Sequence, residues 1–172
     1  EYPDEIILFN LLGVSFERKG LLKDAAKTYK IALNINPNIP EMNFNLGAIL
    51  FSENKVEDAI QFYEKSILLN NNFPEAYFNL GIALQSIGKF DEAIERYQKA
   101  IQIQPGFFEA ITNIGTIKQL QGDLDEAIEF FEKSLSIRED GRGHYNLANV
   151  LRNQGNLSLS IDHYRKAIEL GS

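Results

Sequence analysis

Apolar residues return along this chain in pairs of bursts at helical spacing, and the double burst itself returns every 34 residues. In one stretch Tyr77, Leu80, Gly81 and Leu84 form a first series, and after Gly88 a second runs Phe90, Ala93, Ile94, Tyr97, Ala100 and Ile101. Spacings of three and four put each series on one face of an α-helix, so the pair predicts a helical hairpin. Gly13, Gly47, Gly81 and Gly115 mark the same point of four hairpins, each 34 residues apart, and Ala148 follows after 33. A period of about 20 to 50 residues is the mark of a solenoid, in which each unit buries its apolar face only against its neighbours. The pattern predicts an all-α solenoid of five helix-turn-helix units and about ten helices, over residues 6–39, 40–73, 74–107, 108–140 and 141–172.

The punctuation agrees with this period. Gly20, Gly88, Gly122 and Gly155, with Asn54 in the second unit, fall seven residues after the small residue. A helix ending there in the left-handed conformation needs one of these two residue types. The prolines lie at unit boundaries: Pro37 and Pro105 after second helices, Pro40 and Pro74 in the first turn of the next helix, and Pro3 before the array. The small residue itself needs a reason, because glycine inside a helix costs about 1 kcal/mol relative to alanine. Close helix approach supplies it. Ala25, Ala59, Ala93 and Ala127 are expected to face these positions across the hairpin. Ala32, Ser66, Ala100, Ser134 and Ala167 are expected to let adjacent units approach, while Tyr29, Tyr63, Tyr97, Phe131 and Tyr164 fill the larger gaps.

Composition narrows function by exclusion. The 172 residues carry a formal net charge of -7, which opposes binding to phosphate backbones and anionic lipid. Nucleic acid is not an expected partner. No apolar run approaches the 18 or so residues a membrane span requires, and no secretory signal pattern is present, so membrane insertion is not expected and the placement read is cytoplasmic. There is no cysteine, hence no disulfide, thiolate metal site or cysteine nucleophile. The absence of an initiator Met at Glu1, and a stop at Ser172 just beyond the last periodic residue, Leu170, read as a piece of a longer protein with further repeats or another domain adjoining.

A hairpin with Tyr77, Leu80, Gly81, Leu84, Gly88, Ala93, Tyr97 and Ala100 in this order, closed by Pro105, resembles the tetratricopeptide repeat. The resemblance covers nearly the whole chain. It implies a right-handed superhelix whose first helices line a concave groove that holds a partner's peptide or protein surface, without catalysis and without a cofactor. Departures occur at Asn43, Ile111 and His144, which replace the usual first aromatic, at Lys118, which replaces an apolar residue, and at Ser160, which replaces the hairpin alanine. The junction Ile137 to Gly143 is one residue short, and Gly141 and Gly143 are expected to add backbone freedom there. Stacking of the fifth unit and a hinge are both open, and the pattern beyond the junction favours stacking.

Transferred residue by residue, the groove is expected to present Phe44, Asn45, Ala48 and Phe51 from the second unit and Phe78, Asn79, Ile82 and Gln85 from the third. The fourth offers Asn113 and Thr116, and the fifth Tyr145, Asn146 and Asn149. Asn45, Asn79, Asn113 and Asn146 form a ladder at one equivalent position, with Leu11 in the first unit. An amide offers donors and an acceptor, so such a column can pair with the main chain of an extended peptide whatever its side chains. It can equally bond the neighbouring helix. A similar column lines the repeats of O-linked N-acetylglucosamine transferases, which these units resemble in the NL(G/A) stretch. Phe44, Phe51, Phe78, Ile82 and Tyr145 favour a partner with apolar side chains. Glu41, Glu75 and Glu109 also recur, which their first-turn position explains through the helix dipole.

The clamp by which some of these repeats hold the carboxylate of a chaperone's C-terminal tail needs Lys and Arg at positions that here carry none, so that ligand is not expected. His144 and His163 lie 19 apart without metal-site spacing, and His144 reads as a packing residue in an aromatic slot. No phosphate-cradling loop and no catalytic constellation appear. The sequence reads as a non-catalytic protein-binding scaffold. The alternatives are the substrate-recruiting arm of a larger enzyme, such as a glycosyltransferase, and a scaffold that self-associates through its ends.

Overall fold

The computed structural model describes residues 3–171; Glu1, Tyr2 and Ser172, which include the outer limits of the predicted array, lie outside the described residues. Ten α-helices and no strands occur among the described residues. They form two compact parts. The first, up to Lys89, holds α1 (Pro3–Arg18), α2 (Leu22–Ile35), α3 (Pro40–Ser52), α4 (Val56–Leu69) and α5 (Pro74–Ser86). The second, from Phe90, holds α6 (Phe90–Ile103), α7 (Phe108–Gln121), α8 (Leu124–Ile137), α9 (Gly141–Asn153) and α10 (Leu157–Glu169). Consecutive helices pack within each part, and the result is the all-α hairpin solenoid that the period predicts.

The sharp ends have the predicted cause. Gly20, Gly88, Gly122 and Gly155 adopt φ of 73°, 78°, 87° and 85°, and Asn54 takes 61°. The reversal lets the amide that follows it reach back to close the last turn. Lys55 N–H donates to the Leu50 carbonyl at 2.9 Å, and Asp123 N–H donates to the Lys118 carbonyl at 2.9 Å. Pro40 and Pro74 open α3 and α5, where a missing N–H costs nothing.

The glycines inside α1, α3 and α7 each meet an aromatic ring of the following helix. A β-carbon on Gly47 would lie 2.9 Å from Tyr63 Cε1, and one on Gly115 would lie 2.9 Å from Phe131 Cε1. Ala59 faces Gly47 as expected, with its carbonyl oxygen 3.3 Å from the position of that β-carbon. The long aromatic side chain reaches across the hairpin, while Ala25, Ala59 and Ala127 are fully buried beside it. Ser66 and Ser134 also make hydrogen bonds within their own hairpins. Ser66 Oγ donates to the Pro40 carbonyl at 2.9 Å, and Ser134 Oγ to the Phe108 carbonyl at 3.2 Å, tying each second helix to the first turn of its own hairpin.

The departures from the repeat pattern are accommodated locally. Asn43, fully buried, donates from Nδ2 to the carbonyls of Pro37 and Ile39 at 3.1 and 2.7 Å. Ser160 Oγ donates to the Ala148 carbonyl at 3.0 Å. Lys118 reaches Glu126 at 2.8 Å and Asp123 at 3.6 Å, so its charge is met on the following helix. At the short junction α9 packs on α8, sharing a cluster of Phe131, Leu147, Val150 and Leu151. Gly141 and Gly143 are buried in α9 rather than supplying freedom. Gly143 is small because Leu135 occupies the space a β-carbon would take. Asp140 caps the helix, accepting from Gly143 N–H at 2.6 Å.

Candidate protein interaction surface

The predicted surface is carried by α3 and α5 in the first part and by α7 and α9 in the second. Helical spacing puts the expected residues of each helix on a common face. Phe44, Asn45, Ala48 and Phe51 on α3, Phe78, Asn79, Ile82 and Gln85 on α5, Asn113 and Thr116 on α7, and Asn146 and Asn149 on α9 are all half-buried. Tyr145 alone among them is exposed, at 50%.

The asparagine ladder has a structural partner. Asn45 Nδ2 donates to Tyr29 Oη at 3.2 Å, and Asn113 Nδ2 donates to Tyr97 Oη at 3.2 Å. Asn79 makes the equivalent hydrogen bond to Tyr63. Each bond joins a first helix to the second helix of the preceding hairpin, so the bonding of a neighbouring helix, left open above, is what the amides do with one N–H. Burial pushes the Tyr63 hydroxyl up to about 12, while the Asn79 bond, which favours the phenolate, acts in the opposite direction. Tyr29 and Tyr97 are raised further by burial, and in Tyr29 the Glu17 carboxylate, accepting from Oη at 2.6 Å, adds to the rise.

Asn146 breaks the series. The residue that occupies the tyrosine position before it is Phe131, which has no hydroxyl. Phe131 is fully buried and Asn146 half-buried, and the Asn146 amide keeps its donors and acceptor uncommitted among the described residues. On the same helix Asn149 accepts from Tyr164 Oη at 2.8 Å, and the Tyr145 and Tyr164 rings lie 5.9 Å apart. Phe44 is also partly committed, with its ring 4.9 Å from Phe73 and 5.9 Å from Tyr63. The apolar contribution is therefore largest at Tyr145.

Three features were not found by sequence reasoning. The tyrosine partners of the ladder carry a visible signal, a Tyr-to-Asn offset of 16 that occurs three times. His144 and His163 meet across the α9–α10 hairpin, with their Nδ1 atoms 2.8 Å apart. Metal-ligand spacing along one helix cannot detect such a pair. On α1, Leu8 and Leu12 are 64% and 46% exposed, whereas Met42 and Leu46, one period later, are fully buried. Among the described residues no group of three or more His, Asp or Glu side chains is placed to hold a metal ion, and no helix is long and apolar enough to cross a membrane.

Stacked hairpins of this length and spacing define a helical repeat protein. The chain belongs to the tetratricopeptide repeat family, whose models match residues 10–67, 47–88, 74–107 and 107–172. A crystal structure of MamA is 28% identical, covers 91% of this chain and 92% of its own, and superposes with a TM-score of 0.84. MamA from Desulfovibrio magneticus RS-1, at 20% identity, covers 99% and 97% with a TM-score of 0.88. PilF of Pseudomonas aeruginosa, also 20% identical, covers 98% of this chain and 78% of its own with a TM-score of 0.88. These last two likenesses concern the fold. No curated protein sequence matches the chain.

Proposed function

We propose that the chain is a non-catalytic protein-interaction scaffold that takes an extended segment of a partner along the face of its first helices. The observation that carries this reading is the state of the ladder amides. Asn45, Asn79 and Asn113 are each oriented by a buried tyrosine through one N–H, which leaves the second N–H and Oδ1 for a ligand. An amide held in place loses less freedom on binding than one that must be ordered. Asn146, with no tyrosine hydroxyl beside it, offers its whole amide, and Tyr145 supplies the adjacent apolar anchor. Main-chain pairing at the four asparagines would set affinity, and Phe51, Ile82, Tyr145 and the flanking Ala48, Gln85 and Thr116 would select side chains.

The test is a selection of displayed peptides on the immobilised chain, run beside the Asn113→Ala, Asn146→Ala variant. Enrichment of one motif with apolar side chains on the parent, and its loss on the variant, is the expected result. Equal enrichment on both would remove the asparagines from the mechanism.

A further inference from the structure

The fifth hairpin contains a hydrogen-bonded chain that neither the repeat pattern nor the proposed interaction face requires. His144 lies on α9, only 4% exposed, in the slot that Tyr77 occupies on α5. Its Nε2 is 3.1 Å from Glu139 Oε1, and its Nδ1 is 2.8 Å from Nδ1 of His163 on α10. The ring centres are 5.1 Å apart. The two imidazoles thus meet through one pair of nitrogens, and a carboxylate stands on the far side of one of them.

These contacts fix the protons. An ionised carboxylate only accepts, so His144 must donate from Nε2, which leaves its Nδ1 as a lone pair. His163 must then donate from Nδ1. The chain runs His163 Nδ1–H to His144 Nδ1, and His144 Nε2–H to Glu139. One added proton leaves a single N–H between the two Nδ1 atoms and both bonds intact, with either ring as the donor. A second leaves an N–H on both Nδ1 atoms, pointing at each other across 2.8 Å. A second proton therefore breaks the Nδ1–Nδ1 bond between the helices.

The surrounding charges are mixed. Lys166 on α10 opposes a proton on His163, whereas Glu132 on α8 and Asp162 on α10 favour one. Burial and the His144 charge outweigh them, and the His163 imidazole is held below its ordinary range.

We infer that the Glu139–His144–His163 chain is a pH-sensitive lock on the α9–α10 hairpin, closed near neutrality and opened when a second proton enters the histidine pair. Opening separates α9 from α10 at the point where the two helices also share the Tyr164–Asn149 bond, so the Tyr145–Asn149 face loses its support. The lock stands whether or not that face binds a partner.

Two measurements on the intact chain test this. Long-range nitrogen correlation spectra should show His144 as the Nε2–H tautomer and His163 as the Nδ1–H tautomer near neutral pH. The urea midpoint should fall between about pH 7.5 and about pH 5.5, and His163→Asn, which keeps a donor but does not titrate, should abolish most of that fall. Carboxylate titration common to the whole chain would persist in the variant and is thereby subtracted. Two histidines that titrate independently with ordinary imidazole behaviour would overturn the lock. So would an acid response of the same size in His163→Asn.

Discussion

The glycine contacts make opposite demands on substitution, and alanine distinguishes them. Gly47, Gly115 and Gly143 all lie inside helices, where replacing glycine by alanine gains about 0.5–1 kcal/mol of helix propensity. What the new methyl group meets then decides the sign. At Gly115 it lands 2.9 and 3.0 Å from Cε1 and Cδ1 of Phe131 and 3.2 Å from Phe130 Cβ. At Gly47 it lands 2.9 and 3.0 Å from the Tyr63 ring and 3.3 Å from the Ala59 carbonyl oxygen. Both rings are almost fully buried and cannot swing aside, so the overpacking term of about 1–3 kcal/mol applies. At Gly143 the nearest atom, at 2.7 Å, is the terminal Cδ2 of Leu135, which a small rotamer change moves. The expected order is a net loss of about 1–2 kcal/mol for Gly47→Ala and Gly115→Ala, and a change within about 0.5 kcal/mol for Gly143→Ala. Urea denaturation of the three variants beside the parent reads this directly. If Gly47→Ala and Gly115→Ala match or exceed the parent in stability, the ring-to-glycine packing assignment is wrong.

Other consequences are equally specific. Tyr29→Phe removes the hydroxyl that donates to Glu17 and accepts from Asn45, and should lower stability by about 1–2 kcal/mol in thermal or urea melts; Tyr63→Phe, which loses the Asn79 bond, should lower it by about 1 kcal/mol. Because Tyr63 is raised from 10.0 to about 12, the folded chain keeps a proton that the unfolded chain releases. The stability it contributes is therefore complete below pH 10 and is lost as pH rises toward 12, which a phenolate absorbance titration should report as ionisation delayed until unfolding. Asp140→Ala removes the cap of α9 and should cost about 0.5–2 kcal/mol, with faster amide exchange concentrated in the first turn of that helix. Phe131→Tyr should give Asn146 the hydroxyl partner that its three counterparts have, and weaken a peptide selected on the parent chain.

The fold was legible because a repeat states its rules five times. The left-handed helix ends at Asn54 and the four glycines, the prolines that open α3 and α5, and the buried aromatics of α2, α4, α6 and α8 follow from residue type and position alone. What lies across the glycine was less legible, since periodicity identifies a face but not which of its members reaches farthest. Tyr63 is four residues beyond Ala59 on the same face, and the longer side chain makes the contact. Gly143 reads in the sequence as a source of freedom because isolated glycines near a junction commonly are; its neighbour Leu135 follows only from the packing of α8 on α9. The candidate surface divides in the same way. Its residues could be named by register, but the commitment of Asn45, Asn79 and Asn113 to tyrosine hydroxyls depends on how one hairpin leans on the next. His144 and His163 are 19 residues apart on separate helices, and their meeting depends on the crossing of α9 and α10, which no single-helix spacing encodes.

The central claim is that the ladder amides remain available to a partner's main chain although tyrosines orient them. The most direct measurement follows the side-chain amide resonances of Asn45, Asn79, Asn113 and Asn146 while a peptide selected on the intact chain is added. The account predicts that all four shift, with Asn146 moving most because it exchanges solvent rather than a tyrosine-held geometry. Saturable binding that leaves these four resonances in place would contradict it.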